Sequence, residues 1–246
     1  MDEKNKYTGM DILDLAQMAP ESVFDEARKI LETLVGYKEL RMMYACALKE
    51  VRTKFEVLDV EFNVRYSRNP INAIHTRLKS NQSILEKMQR RRIPFSLENL
   101  EARIQDVAGV RVICSYVDDI YRLSEALLRQ DDVKLIAQKD YIQQPKPNGY
   151  RSLHLIMAVP VPMIRGHQEC WAEIQIRTLA MDFWAALEHQ LKYKQQIGDE
   201  ETIVAELKRC ADETSSTDIN LLALRELITA GKEGPLLAGS RPQQPE

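Results

Sequence analysis

The apolar residues of the segment 38–66 recur at alternating spacings of four and three. They are Tyr44, Leu48, Val51, Phe55, Leu58 and Phe62. A helix places such residues on one face, because it has about 3.6 residues per turn. The pattern predicts a long amphipathic helix that ends at Asn69-Pro70, since proline disfavours helical backbone in the residue before it.

The chain on either side of the central region looks like extensions. Residues 1–35 are mixed in character, and Pro20 suits the first turn of a helix that reaches about Val35. We expect an N-terminal helical extension over 1–35 and a main domain over 36–218. Residues 219–246 are expected to hold the end of a last helix, at about 202–230, and a disordered tail.

A second helix is predicted from Ile71 to Arg92. Its buried stripe is expected at Ile71, Ile74, Leu78, Leu85 and Met88. Four polar residues fall together on the opposite side: Lys79, Ser83, Lys87 and Arg90. Six cations and one acid lie between Arg77 and Arg92. The charge pattern alone fits either a solvated helix face or a surface that binds an anion.

Short segments rich in β-branched and apolar residues predict strands at 110–114, 133–137, 152–159 and 171–178. Helical spacing returns at 119–130 and 178–193. Helices and strands mixed in this order predict an α/β fold in which helices cover one face of a sheet.

The strand WAEIQIRT alternates strictly between apolar and polar side chains. Successive side chains of a strand point to opposite faces, so Glu173, Gln175 and Arg177 share the face away from the core. The same alternation places His154 and Arg111 on the polar faces of their strands. Such strands side by side make a sheet with one open, charged face. An ordinary water-facing sheet alternates in the same way, so both interpretations stay open here.

The loop PKPNGYRSLH presents a ring and a cation at a defined place. Its prolines stiffen the chain, Asn-Gly favours a tight turn, and Tyr150 and Arg151 follow just before a strand. The sequence contains neither GxxxxGK[ST] nor GxGxxG. Phosphate is therefore expected to be held by side-chain cations rather than by a glycine-rich loop.

Composition narrows the class of partner. The 246 residues, 44% of them hydrophobic, suffice for one globular domain. The net charge is -3, and ten acids outnumber five bases from Gln195 to Glu246, so no broad basic face for nucleic acid is expected. A compact anion such as a nucleotide polyphosphate fits better. Four scattered cysteines without a CxxC pair, and no apolar run of membrane-spanning length, predict a cytoplasmic protein with reduced thiols.

Four blocks stand in order along the chain: RLKSNQSILEKMQRR, DVAGVRVICSYVDDIY, KDYIQQPKPNGYRSLH and EIQIRTLAMDFWAALEH. Together they resemble the synthetase domain of the RelA/SpoT family, in particular its stand-alone small alarmone synthetases. The resemblance runs from about Leu40 to Asp218. It implies a nucleotidyltransferase-like mixed sheet of about five strands, flanked by helices.

The reaction implied by the resemblance is attack by the 3′ hydroxyl of GTP or GDP on the β-phosphorus of ATP. It releases AMP and makes (p)ppGpp, the alarmone of the stringent response. Asp106 and Glu173 match the family's Mg²⁺ ligands, and Glu173 is also implied as the group that takes the hydroxyl proton. A turn or helix-capping role is the alternative for Asp106.

The resemblance assigns the other candidates to two nucleotides. The ATP site is implied at Arg77, Lys79, Ser83, Lys87, Arg90 and Arg111, with Lys139 near phosphates. The GTP or GDP site is implied at Lys146, Tyr150, His154, Gln175 and Asp182, with the Tyr150 ring on guanine. A carboxylate at 182 suits guanine, whose N1–H and 2-amino group are adjacent donors. Because Arg77 lies off the stripe of its predicted helix, it is expected at a helix start or bend.

Two other functions remain open at this stage. One is a pyrophosphokinase of the same fold that acts on an adenine nucleotide or the tRNA 3′ end, and the other is a non-catalytic RNA-binding regulator. Asp182 favours free guanine nucleotide, and the Asp106 and Glu173 pair favours an enzyme. The sequence has no His-Asp dipeptide, so synthesis without hydrolysis is expected. The family resemblance also implies a homotetramer, with the terminal helices and the 38–66 helix at the interface.

Overall fold

The protein is described by a computed structural model that covers residues 21–164, 166–194 and 200–232. The elements in chain order are α1 (Glu21–Tyr66), β1 (Ile71–Leu78), α2 (Asn81–Arg90), α3 (Leu97–Arg103), β2 (Ala108–Cys114), α4 (Val117–Leu128), β3 (Lys134–Asp140), β4 (Leu153–Met163), β5 (Gly166–Thr178), α5 (Leu179–Lys194) and α6 (Glu200–Lys232). The expected helices at 119–130, 178–193 and 202–230 are confirmed as α4, α5 and α6. The expected tail and most of the N-terminal extension lie outside the described residues.

The strands form one five-stranded sheet in the order β1-β2-β5-β4-β3. The central pair, β2 and β5, is parallel, and the other neighbours are antiparallel. The expected mixed sheet flanked by helices is confirmed. The parallel pair at its centre brings two distant segments of the chain into register.

Helix α1 lies across the apolar face of the sheet and contacts four of its strands, with α4 beside it. Its predicted stripe is confirmed, because all six residues from Tyr44 to Phe62 at that spacing are buried. They pack against the inward residues of the central strands, such as Val110 and Ile174. One face of the sheet is therefore closed, and the residues on its other face are left for a site.

The chain passes from the expected extension into the main domain without a break, since α1 is a single helix from Glu21 to Tyr66. At Gly36 this helix meets α3. A Cβ at position 36 would lie 2.7 Å from Leu97 Cδ1, so the glycine lets the two helices approach closely.

The helix predicted from Ile71 to Arg92 is wrong over its first half, which forms the edge strand β1. A β-bulge between Ile71 and Ala73 shifts the alternation by one residue. As a result Ile71, Ile74 and Leu78 all contact the core from one face, at spacings of three and four that imitate a helix. Arg77 is consequently a strand residue and not the start or bend of a helix.

Helix α2 starts only after Ser80, whose hydroxyl accepts from the Ser83 backbone N–H at 3.2 Å and caps it. Its buried residues are Ile84 and Met88. The sequence-based stripe named Leu85, which is instead half exposed at 50%. Met88 was named correctly, so the buried face of the helix is rotated relative to the prediction by about 50°, half the angle between consecutive residues.

Helix α6 supports the loop between β3 and β4. The Arg151 guanidinium donates to Asp212 Oδ1 of α6 at 2.9 Å and to Gly149 O at 3.0 Å. Gly149 adopts a φ of 87°, and a Cβ there would lie 2.5 Å from Ala211 Cβ. The predicted Asn-Gly turn thus packs directly on the last helix. No helix among the described residues carries an apolar run long enough to cross a membrane.

Gly149→Ala is expected to destabilise the fold for two reasons. Positive φ costs a residue with a Cβ about 1–2 kcal/mol, and overpacking against Ala211 costs about 1–3 kcal/mol more. Gly166→Ala is the matched control, because Gly166 also has positive φ, at 116°, but has nothing within 4 Å of the added Cβ. Urea unfolding of both variants measures the difference. Equal losses would mean that the contact between the loop and α6 is not tight in solution.

Candidate active site

One residue from each of the five strands contributes to a polar row across the open face of the sheet. The strand registers pair His75 with Arg111, Arg111 with Gln175, Gln175 with His154, and His154 with Lys139. Directly opposite residues on paired strands share a face and lie side by side. The charged open face expected from the alternation of Arg111, His154 and Gln175 is confirmed.

Two candidate carboxylates line one cavity of about 400 Å³ on this face. Its walls are formed by His75, Arg77, Lys79, Asp106, Gly109, Val110, Arg111, Glu173 and Gln175. Gly109 stands opposite Glu173 in the register of β2 and β5, and opposite Arg77 in that of β1 and β2. Since glycine has no side chain, the space between Arg77 and Glu173 stays open.

Asp106 lies in the turn before β2 and is held by two lysines. Lys79 Nζ is 3.0 Å from Oδ2, and Lys87 Nζ of α2 is 2.7 Å from Oδ1. Burial alone would raise the pKa of this carboxyl group, but the two ammonium groups outweigh it and hold the pKa below its usual value. Asp106 is therefore ionised at neutral pH. It caps none of the helices with a described N-cap, whereas the turn role weighed for it agrees with its position.

Glu173, in the middle of β5, is bound by its neighbours in the polar row. Gln175 Nε2 donates to Oε2 at 3.1 Å, and His154 Nδ1 lies 3.5 Å from Oε1. Burial would raise the pKa of Glu173, yet these contacts, His154 first, hold it below the usual value. Glu173 is therefore also ionised at neutral pH and faces the same cavity as Asp106.

A second cavity, of about 210 Å³, meets the first at the two carboxylates. It shares Asp106 and Glu173 and is otherwise lined by Lys87, Arg91, Gln105, Ala137, Lys139, Tyr141, Lys146, His154 and Ile156. Each cavity therefore has cations on its walls and the same pair of carboxylates at its boundary. Two polyanions bound in the two cavities would meet at Asp106 and Glu173.

Tyr150 belongs to a cluster of rings beside the second cavity. Its hydroxyl lies 2.9 Å from His154 Nε2, and Lys146 Nζ lies 4.5 Å from the ring centroid. Tyr141 packs edge-on against both Tyr150 and His154, and Lys146 also lies over the Tyr141 ring at 4.7 Å. Burial raises the pKa of Tyr150, so its hydroxyl stays protonated.

Arg177 anchors this cluster from within the protein, with 2% of its surface exposed. It donates to the Tyr150 hydroxyl at 2.9 Å, to Gln175 Oε1 at 2.8 Å and to Asp182 Oδ1 at 3.2 Å. Gln175 continues to Glu173, and Tyr150 continues through His154 to Glu173. These five residues form a closed polar ring that joins the buried guanidinium to the Glu173 carboxylate by two routes.

Asp182, at the start of α5, is shared by two arginines. Arg177 NH1 lies 3.2 Å and Arg111 NH1 lies 3.4 Å from the same oxygen, Oδ1. Arg111 also lines the first cavity. Arg111, which the resemblance assigned to ATP, is thus in direct contact with Asp182, which it assigned to GTP or GDP.

Four candidates line neither cavity: Ser83, Arg90, Tyr150 and Asp182. Arg90 is exposed at the end of α2, and the Ser83 hydroxyl accepts from Ser80 Oγ at 2.9 Å.

Sequence reasoning missed several cavity residues: His75, Arg91, Gln105 and Tyr141. His75 was hidden by the wrong helix assignment. Arg177 was recognised as polar-facing but not as a site residue, and its position on the face of Glu173 and Gln175 was the available signal.

The carboxylates fit a divalent cation that is completed by substrate. Asp106 Oδ1 is buried, and Lys87 Nζ contacts it at 2.7 Å without the geometry of a regular hydrogen bond. Among the described residues, no group of three or more His, Cys, Asp or Glu is placed to hold a metal ion by itself. Mg²⁺ commonly uses one or two protein carboxylates together with substrate phosphates and water. The donor set therefore suits a metal that arrives with a nucleotide rather than one in an all-protein cage.

Comparison with known proteins agrees with these features. The family model described as the region found in RelA / SpoT proteins matches residues 76–198. A Bacillus subtilis protein named GTP pyrophosphokinase YwaC is 39% identical over 204 residues, which are 83% of this chain and 96% of that protein.

Solved structures are similar over most of the chain. Small alarmone synthetase 1 from Bacillus subtilis, bound to its product pppGpp, has a TM-score of 0.71 at 35% identity, over 78% of this chain and 97% of that one. The same protein bound to AMPCPP has a TM-score of 0.66 at 32% identity, over 79% and 98%.

Arg177→Met is expected to lower the free energy of unfolding by about 2–3 kcal/mol, somewhat less than for a fully buried pair because Asp182 is partly exposed. The variant keeps an apolar stem but leaves Tyr150, Gln175 and Asp182 without their shared donor. Arg129→Met is the control, because it breaks an exposed pair with Glu125, whose loss costs well under 1 kcal/mol. Urea unfolding measures both. Equal losses would contradict a structural role for the polar ring.

Proposed function

This chain belongs to the RelA/SpoT family, and we propose that it is a (p)ppGpp synthetase that transfers the β,γ-pyrophosphate of ATP to the 3′ hydroxyl of GTP or GDP. The observation that carries the proposal is the pair of ionised carboxylates, Asp106 and Glu173, where two cation-lined cavities meet. A transfer between two nucleotides needs two polyanion sites with their reacting groups at a common boundary.

The first cavity suits ATP. Arg77 and Arg111 are diagonal neighbours on adjacent strands, and such residues have Cβ atoms roughly 7 Å apart. This spacing lets two guanidinium planes enclose a flat adenine ring between them. Lys79 of this cavity and Lys87 of the second, both paired with Asp106 at the boundary, would bind phosphate oxygens of ATP. For Ser83 and Arg90, which lie outside the cavities, an ATP contact stays a prediction.

The second cavity suits the acceptor. Lys146 supplies positive charge for its phosphates, and burial lowers the pKa of Lys146, opposed by the nearby Glu173 and Glu188. Lys139, expected near the phosphates of ATP, lines this second cavity and would add to that charge. The rings of Tyr141, on the cavity wall, and Tyr150, beside it, supply faces for guanine, and Gln175 and Asp182, joined to Tyr150 through Arg177, would border the base. In this arrangement His154 positions the Glu173 carboxylate and lies near the acceptor ribose.

The reaction follows from the shared boundary. The 3′ oxygen of the acceptor forms a bond to the β-phosphorus of ATP, the bond from that phosphorus to the α,β-bridging oxygen breaks, and AMP leaves with this oxygen. Glu173 accepts the hydroxyl proton as the new bond forms. Lysines and arginines of both cavities neutralise charge on the transferred group.

The same pair of carboxylates would hold the divalent metal ion, which we propose to be Mg²⁺. When bound, Mg²⁺ supplies charge neutralisation and alignment of phosphates. To bind the metal ion, Asp106 would give up one of its two lysine contacts, and the released Lys79 or Lys87 would then be available to a phosphate oxygen. His154 and Gln175 keep Glu173 oriented toward the same point.

Assembly, location and hydrolysis stay predictions of this proposal. Exposed apolar residues on α1 and α6 support the expected homotetramer, whose interface is predicted on the terminal helices and the 38–66 helix. Examples are Phe24, Leu31, Leu224 and Leu227. A cytoplasmic location fits the proposed substrates, ATP and GTP or GDP. Among rival functions, a non-catalytic regulator would leave the carboxylate pair without a role, and acceptance of adenine would leave Asp182 without its two adjacent donors.

The product test uses ATP labelled at the β-phosphate, Mg²⁺, and in separate reactions GTP, GDP, GMP, ATP or tRNA. The expected result is labelled pppGpp or ppGpp with stoichiometric AMP. Labelled free pyrophosphate, or label transferred only to tRNA, would overturn the proposal. Incubation with pppGpp alone should yield no GTP, in line with synthesis without hydrolysis.

Glu173→Gln should lower kcat by about 10³-fold or more, because the amide neither accepts the proton nor compensates metal charge. Its shape is preserved but its charged contacts with His154 and Gln175 are lost, so a modest fall in stability toward urea is expected and kcat is measured where the variant is folded. Glu188→Gln, a substitution of a nearby acid, is the control and should keep most of the wild-type kcat. A Glu173→Gln enzyme with over a tenth of the wild-type kcat would place proton transfer elsewhere.

Tyr150→Ala should raise the KM for GTP by about ten- to a hundredfold and affect ATP much less, since base stacking contributes ~1–3 kcal/mol. Tyr150→Phe is the matched control, because it keeps the ring and removes only the hydroxyl that contacts His154 and Arg177. Steady-state kinetics with each substrate varied decide the case. If both variants raise the two KM values alike, the ring supports the site without contacting guanine.

A further inference from the structure

Asp182, at the start of α5, pairs with Arg111, which lines the first cavity, and with Arg177, which holds the ring cluster beside the second cavity. Its Oδ1 faces Arg177, which is buried and has two other partners, and Arg111, whose side chain is 44% exposed and lines the first cavity. The contact to Arg111 is the longer of the two, 3.4 Å against 3.2 Å. Arg111 is therefore the partner that Asp182 releases more easily.

We propose that the Asp182–Arg111 ion pair is a latch that makes ATP binding depend on the acceptor. This inference rests on the proposed function, because it takes the first cavity for ATP and the second for GTP or GDP. With the acceptor absent, Asp182 holds Arg111 and reduces its availability for the adenine ring. With guanine present, the carboxylate binds the base instead, and Arg111 is free to close over ATP.

The hydrogen-bonding capacity of a carboxylate explains the exchange. Guanine N1–H and its 2-amino group together require both oxygens of Asp182. Oδ1 is already engaged by two guanidinium groups, so at least one of them must give way. Arg177 is fixed by Tyr150 and Gln175 as well, whereas the released Arg111 can turn toward solvent and the first cavity.

The size of the coupling follows from exposure. Ion pairs with partly exposed partners are worth about 0.2–1 kcal/mol, which corresponds to a change of up to about fivefold in affinity. Because a coupling between two binding sites is reciprocal, ATP should strengthen acceptor binding by the same factor. Repulsion between the phosphates of the two bound nucleotides weakens binding and so opposes this coupling. The contribution of the latch is therefore measured as the difference in coupling between the wild type and a variant without the ion pair.

The test is calorimetric titration of AMPCPP, whose α,β-methylene bridge prevents transfer, with Mg²⁺ and with or without saturating GDP. In Asp182→Asn, the Kd for AMPCPP without GDP should fall about two- to fivefold, because Arg111 is free. The gain in AMPCPP affinity on adding GDP should shrink by the same factor relative to wild type. Glu125→Gln, which removes an exposed acid of α4 paired with Arg129, should match wild type.

A second variant excludes an indirect effect of Asp182→Asn on the fold. In an Arg111→Met background the same substitution should leave the Kd for AMPCPP unchanged. An unchanged or weaker affinity in the single variant, or an equal change in the Arg111→Met background, would overturn the latch. Loss of the latch leaves the proposed function standing if wild type still makes labelled (p)ppGpp, whereas absence of that product would overturn the function itself.

Discussion

The parallel pairing of β2 with β5 is the constraint on which the site depends. Its register sets Arg111 beside Gln175 and Gly109 opposite Glu173. Asp106 lies two residues before β2, so the same pairing brings it to the cavity that Glu173 faces. A slip of one residue would turn Glu173 into the apolar core and expose Ile174. The buried stripe of α1 prevents such a slip, because it packs on the apolar residues that the register selects.

Electrostatic pairing holds the open face in shape while substrates are absent. Asp106 is bound by two lysines, Glu173 by His154 and Gln175, and Asp182 by two arginines. Phosphates and a divalent cation would compete for these same partners, so binding exchanges charges rather than burying new ones. The pKa values of Asp106 and Glu173 lie below their usual values, so both groups stabilise the fold above the unfolded pKa. This contribution is lost as the pH falls through the folded pKa.

The last helix connects stability with the acceptor site. Arg225 of α6 binds Asp118 of α4 through both guanidinium nitrogens, and Thr178 at the end of β5 donates to the buried Asp218 at 2.6 Å. Burial raises the pKa of Asp218. With the Arg151 contact to Asp212, these interactions fix α6 against the sheet and support the loop that carries Tyr150. The position of the Tyr150 ring therefore depends on a helix distant in sequence.

The sequence by itself determined the elements whose pattern is local. The stripe of α1, the alternation of β5 and the Asn-Gly turn were all readable, since helix and strand periodicities depend only on neighbouring residues. Tertiary structure decided the rest. The bulge that makes Ile71 and Ile74 share a face is visible only in the pairing of β1 with β2. The contact between Arg111 and Asp182 and the anchoring of Tyr150 by Arg177 likewise arise between segments far apart in the chain, where pairing register rather than spacing sets the distance.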